Sequence, residues 1–124
     1  MGETEASYQE KGGDPVTYTG NLSGFGGPTR TNIEGEMSAK VDLPKGRVVG
    51  SIDASHTSNG KLEGKIDPDT GRTWGKGYVK AFGLSKIKFE FAGQYSADFS
   101  AAKGEWNSVT RFVSGEGTWE ISRE

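Results

Sequence analysis

Apolar and polar residues alternate with a period of two along most of this chain. The clearest run is Ile33, Gly35, Met37, Ala39, Val41 and Leu43, each separated from the next by a polar neighbour or lysine-bearing step. A strand satisfies that period and a helix with 3.6 residues per turn does not. Val16, Tyr18, Gly20 and Leu22 form an earlier face, followed by Gly24-Phe25-Gly26-Gly27-Pro28, which reads as a loop rich in breakers. Val48, Gly50, Ile52 and Ala54 form a third face, and the segment His56 to Gly60 holds an Asn59-Gly60 step typical of hairpin turns. Leu62, Gly64 and Ile66 are a fourth, stopped by Asp67-Pro68-Asp69-Thr70-Gly71. Ile87, Phe89, Phe91, Gly93 and Tyr95 form a sixth, a seventh runs from Lys103 to Val109 around Trp106, and the last spans Gly117 to Ser122.

The fifth segment, Thr73 to Phe82, leaves its inner face open. Gly75, Gly77, Val79 and Ala81 alternate with Trp74, Lys76, Tyr78, Lys80 and Phe82. With the small residues inside, Trp74, Tyr78 and Phe82 become an outer aromatic stripe spaced by lysines. With the large residues inside, two lysines enter the interior.

Glycine recurs within these alternations, at Gly20, Gly35, Gly50, Gly64, Gly77, Gly93, Gly104 and Gly117. Glycine weakens a strand, so its repeated use on the inward face points to bending or close approach of backbone, as barrel corners require. The pattern predicts an all-β chain, a single small antiparallel up-and-down β-barrel of about eight strands over residues 15–124. A two-sheet sandwich is the alternative with the same strand number, but the short connections favour neighbouring antiparallel strands. Residues 1–14, polar, acidic and glycine-bearing, read as a flexible polar leader.

Composition narrows the function classes. With 124 residues, 31% hydrophobic, the interior is thin, and 20 glycines argue against a helical bundle. Fifteen basic and 17 acidic residues leave a net charge of -2, too balanced for a nucleic-acid footprint. Cysteine is absent, which removes thiolate metal sites and disulfides. No apolar run is long enough for a transmembrane helix. A lipid-facing barrel is disfavoured because Glu34, Glu36 and Lys40 would point outward.

Tyr18-Thr19-Gly20, the runs GEMSAKVDLPKGRVVGSID, GKLEGKID and GKGYVKAFG, the stretch FEFAGQYSADFSAAKGEW and the closing GEGTWEISRE together resemble the barrel domain of bacterial surface lipoproteins of the transferrin-binding protein B type. Pro44 and Lys45 replace the phenylalanine-glycine turn of that family, and its glycine-proline pair after the aromatic segment is missing. The resemblance implies an exported bacterial binding module, extracellular, at the cell surface or periplasmic. Lipocalin-like and biotin-binding barrels share the same physical pattern.

Chemistry-bearing constellations are sparse. His56, beside Asp53 and Ser55, sits at a strand end where a polar turn residue needs no catalytic reason. Asp67, Asp69 and Gly71 imitate the start of a calcium loop, but the glycine comes one place early and Tyr78 stands where a bidentate glutamate belongs. No catalytic residue, metal or cofactor is expected. The aromatic residues say more: Trp74, Tyr78, Phe82 and Trp106 are the candidate ligand- or partner-binding residues, with Lys76 and Lys80 alongside, while Phe89, Phe91 and Trp119 read as core. The favoured function is a non-enzymatic binding module for a protein partner or a small hydrophobic ligand. The alternative is a cyclase- or isomerase-type barrel enzyme, which needs an ionisable group on an inward face, and there the clear faces offer only Tyr18 and Tyr95.

Overall fold

A computed structural model describes residues 15–27, 29–55, 57–81, 84–109 and 114–124, and all the structure below refers to these. The expected leader, residues 1–14, lies outside them. Eight strands follow one another: β1 (Val16–Gly26), β2 (Thr31–Asp42), β3 (Arg47–Ala54), β4 (Thr57–Ile66), β5 (Arg72–Ala81), β6 (Leu84–Tyr95), β7 (Ala101–Val109) and β8 (Ser114–Arg123). Each pairs antiparallel with the next, and β8 pairs with β1 in the register Leu22 to Trp119 and Gly20 to Ile121, so the sheet closes as an up-and-down barrel. Closure excludes the sandwich and leaves no edge strand to attract another chain.

The alternation read from the sequence fills the interior as expected. Tyr18, Leu22, Ile33, Ala39, Val41, Val48, Leu62, Ile66, Phe89, Trp119 and Ile121 are all buried. In the fifth strand the small residues face inward: Gly77 is buried and Gly75 half-buried, while Trp74, Lys76, Tyr78 and Lys80 are exposed.

Large rings lean across these glycines. The Trp119 indole of β8 covers Gly104 of β7 and Gly93 of β6, and a methyl group on Gly104 would stand 2.7 Å from that ring and 2.6 Å from the Gly93 Cα. Phe91 of β6 lies in the same way over Gly75 and Gly64, and Trp106 of β7 over Gly117 and Gly24. Each indole N–H is satisfied by strand backbone, Trp119 Nε1 donating to the Glu105 carbonyl at 3.1 Å and Trp106 Nε1 to the Ser23 carbonyl at 3.2 Å. A ring of eight strands has an interior just wide enough for side chains to fill or for one small ligand, and ring-over-glycine packing lets two indoles occupy a lumen of that width.

Two segments read as turns are strand. β1 continues through Gly24, Phe25 and Gly26, because those glycines make room for Trp106 and Ile33 instead of breaking the strand. Asn59 and Gly60 lie inside β4 at a register shift between Ser58 and Lys61. The hairpin before β4 is tied instead by Thr57, whose Oγ1 donates to the Ala54 carbonyl at 2.8 Å.

One end of the barrel is plugged. Tyr18 and Tyr95 meet edge to face with centroids 5.3 Å apart, Tyr95 and Phe99 lie 6.1 Å apart, and Tyr18 donates its hydroxyl to the Phe99 carbonyl. Phe99 reaches this plug from a left-handed backbone position, φ 58, that a bulky residue adopts only when its surroundings compel it. The neighbouring Asp98 carboxylate supplies that constraint, accepting from Ser96 Oγ at 2.8 Å, Ser100 Oγ at 2.7 Å and the Ser100 amide at 3.0 Å. Those bonds, the Ser100 hydroxyl foremost, hold the Asp98 pKa down at about 2, from 3.8.

Trp119→Ala should cost about 3–5 kcal/mol of unfolding free energy and Gly104→Val about 1–3 kcal/mol, whereas Lys103→Ala on the outer wall should stay within about 0.5 kcal/mol; urea unfolding reads all three. Because the folded-state pKa of Asp98 is depressed, its contribution is complete above pH 4 and disappears as the pH falls toward 2. Thermal melts should therefore show wild type above Asp98→Asn at pH 7 and the gap closing across that interval.

Candidate functional site

The barrel divides the candidate residues between its two sides. Trp106 points inward, half-buried, with its ring over Gly117. Trp74 and Tyr78 point outward from β5 and are 46% and 37% exposed. Phe82 lies outside the described residues, as does His56.

On the inner side, Trp106 lines a cavity of about 80 Å³ toward the end opposite the tyrosine plug, together with Leu22, Met37, Ile52, Leu62 and Phe89. Ligand pockets for small molecules usually run from roughly 300 to 1,000 Å³, so this lumen is close to filled. Its described lining carries hydroxyls on Thr57, Ser108 and Ser114 but no carboxylate, imidazole or amine. Ser108 is already committed, donating to the Lys88 carbonyl at 2.7 Å. Tyr18 and Tyr95, the ionisable groups expected on the inner face, sit in the plug at the other end. Among the described residues the cavity thus holds apolar surface without an acid, an imidazole or an amine to move a proton.

On the outer side, strand register places cations beside each aromatic. Tyr78 stands directly between Lys61 of β4 and Lys88 of β6, and the Lys86 ammonium lies 4.6 Å from its ring centroid. Trp74 stands between Lys65 of β4 and Ala92 of β6, with Arg47 of β3 on the far side of Lys65. The short Ala92 side chain leaves a shallow groove beside the indole, which continues past Arg47 and Lys65 on one flank and Glu105 on the other. Between the two aromatics, Lys76 sits opposite Glu63 and Glu90.

Lys76 and Lys80 were expected beside the aromatics because they share their strand. Lys61, Lys65, Lys86, Lys88 and Arg47 were not, since only cross-strand register brings them there. Their outward direction was legible from the alternation; their adjacency was not.

The Asp67 turn, which imitates a calcium loop in sequence, is an ordinary side-chain turn here. The Asp67 carboxylate accepts the Asp69 amide at 2.8 Å, and Gly71 takes a left-handed φ of 80.

What this geometry defines is a closed eight-stranded antiparallel barrel with a filled lumen and an aromatic, lysine-bearing outer wall. No protein-family model and no curated protein sequence matches the chain. Solved structures do. The vaccine antigen transferrin-binding protein B from Haemophilus parasuis Hp5, in a tryptophan-to-alanine mutant form, superposes with a TM-score of 0.71 at 11% identity, over 90% of this chain and 27% of that one. Isotype 1 transferrin-binding protein B from serogroup B Neisseria meningitidis gives 0.73 at 12% identity, over 90% and 25%. The chain therefore spans about a quarter of the length of these neighbours and shares the fold of a barrel within them. The structural resemblance expected from the strand motifs holds at that level.

Collisional quenching checks the division of the tryptophans. Iodide should quench the Trp74 component and leave Trp106 and Trp119 largely protected, and Trp74→Phe should remove most of the quenchable emission. Caesium should quench Trp74 less well than iodide, because Lys65 and Arg47 repel it.

Proposed function

We propose that this chain is a non-enzymatic binding module that meets a protein partner with the outer wall of β4, β5 and β6. Trp74 and Tyr78 are its contact residues; Phe82, four positions beyond Tyr78 in the sequence, is proposed with them on the alternation of the sequence alone. The observation that carries the reading is the exposure of Trp74, 46%, on the outside of a barrel whose interior leaves only about 80 Å³. Tryptophan and tyrosine dominate the energetics of protein interfaces, because each offers a large rigid surface with a polar handle.

Trp106 takes a different part. Its ring fills the lumen over Gly117 and Gly24 and bounds the cavity, so it supports the wall and does not meet the partner. A small hydrophobic ligand is the second reading. The apolar lining of the cavity favours it, and the volume limits such a ligand to a few heavy atoms. The cyclase or isomerase alternative lacks support, since the described lining holds no acid, base or tyrosine.

A bacterial, exported, cell-surface setting belongs to the proposal as well. It rests on the likeness of the strand motifs to surface lipoprotein barrels and on solved neighbours named for binding transferrin, one of them described as a vaccine antigen. Transferrin itself is not carried over, because the likeness covers about a quarter of those chains.

Native mass spectrometry combined with affinity capture tests the reading. The expected result is a bare chain mass, together with a protein captured by wild type and by Glu34→Lys but lost with the double variant Trp74→Ala, Tyr78→Ala. A retained small molecule, or equal capture by that double variant, would overturn outer-wall docking.

A further inference from the structure

The nearly neutral net charge conceals a division of charge around the barrel. On the outer wall formed by β4, β5 and β6, Lys61, Lys65, Lys76, Lys80, Lys86 and Lys88 are exposed, against Glu63 and Glu90. The diametrically opposite wall, β8, β1 and β2, exposes Glu34, Glu36, Glu116 and Glu120, against Lys40 and Arg123. Register sharpens both sides. Lys61 and Lys88 flank Tyr78, Arg47 and Lys65 stand together on one side of Trp74, and on the opposite wall Glu36 and Glu120 flank Asn21. Arg47 and Lys65, like charges directly opposed on adjacent strands, repel.

We infer that the β4–β6 wall receives an acidic protein surface bearing two carboxylate clusters about 13 Å apart, one for the lysines around Tyr78 and one for Arg47 and Lys65 beside Trp74. The spacing follows from the four residues that separate Trp74 from Tyr78 at about 3.3 Å each. This rests on the outer-wall reading above and adds the chemistry of the partner.

The row between the aromatics selects a protein over other anions. Glu63, Lys76 and Glu90 lie side by side there, so the cationic track is interrupted by two carboxylates. A uniformly charged polymer or an anionic bilayer would press its own negative charge onto that row. A protein surface places acidic clusters on both sides and a neutral or basic residue between. The aromatics add apolar contact beside each cluster, and the cations accelerate encounter by long-range attraction that salt screens over about 8 Å at physiological strength.

A second copy of the chain is a poorer occupant. Glu116 and Glu120 have the right separation on β8, but Glu116 is engaged by Arg30 at 3.9 Å, and contact between opposite walls would propagate without closing.

Amide shifts in NMR titrations supply the test, with synthetic peptides EESSEE and EEEEEE, heparin, and phosphatidylglycerol vesicles as probes at 20 mM salt. EESSEE should shift β4–β6 amides and bind at least as tightly as EEEEEE, despite carrying two fewer charges. Binding should weaken at least 10-fold at 300 mM salt and at least 10-fold in Lys61→Glu, Lys88→Glu, and remain within 2-fold in Glu36→Gln, Glu120→Gln. Folding of each variant is checked by its far-ultraviolet spectrum and melting temperature, and Lys61→Gln, Lys88→Gln provides a milder substitute with a loss of at least 3-fold. Tighter binding to heparin or to vesicles than to EESSEE would overturn the assignment in favour of a polyanion or a membrane. Salt-sensitive self-association of the protein alone would overturn it in favour of a second copy. If a captured protein partner survives Lys61→Glu, Lys88→Glu but is lost with Trp74→Ala, Tyr78→Ala, outer-wall docking stands and the acidic chemistry fails; if it survives both, the docking reading itself fails.

Discussion

Everything in this barrel depends on large aromatic rings lying over glycines of the adjacent strands. An eight-stranded closed sheet has an interior just wide enough for side chains, and only 31% of the residues are hydrophobic. Trp119 spanning Gly104 and Gly93, Phe91 spanning Gly75 and Gly64, and Trp106 spanning Gly117 and Gly24 let a few large groups fill that space. Ordinary side chains at the glycine positions would meet both a ring and the neighbouring backbone. From Gly64 to Gly117 the even beat of glycine is thus the complement of inward aromatics carried on other strands and brought over it by closure, whereas Gly20, Gly35 and Gly50 meet neighbouring backbone.

This packing also bears on where the proposed recognition takes place. Because the rings leave about 80 Å³, and because the tyrosine plug closes the other end with its hydroxyl already bonded to Phe99, the interior offers little to a ligand and no acid or base among its described residues. The same small inward residues on β5 that admit the Phe91 and Phe89 rings force their bulky alternates outward. Trp74 and Tyr78 are exposed as a direct consequence of Gly75 and Gly77 being inside. The filling of the lumen and the aromatic outer stripe are two faces of one alternation.

How much of this was legible beforehand varies by element. β2 alternates from Ile33 to Leu43 without a break, so its direction and inner face were plain. β5 alternates equally well, yet its two faces offered small residues on one side and aromatics with lysines on the other, and a single strand holds no information about which side its neighbours fill. Glycine is not always punctuation: Gly24, Gly26 and Gly60 lie within strands because a ring or an aliphatic side chain occupies the space a Cβ would need. Of the candidate residues, Trp106 could not be assigned a side of the wall from composition, since an aromatic in a glycine-rich strand suits either a filled lumen or an exposed contact.

The order of apolar and polar residues by itself determined an all-β chain of eight antiparallel strands and the outward direction of nearly every charge. That follows from local physics, in which side chains alternate across a strand and apolar ones leave water. Only the tertiary structure decided which residues stand side by side: β8 against β1, Trp119 over glycines of two other strands, and lysines of β4 and β6 around aromatics of β5. Those neighbours come from register and closure, which sum hydrogen bonds and packing over all eight strands at once, so no segment read alone contains them.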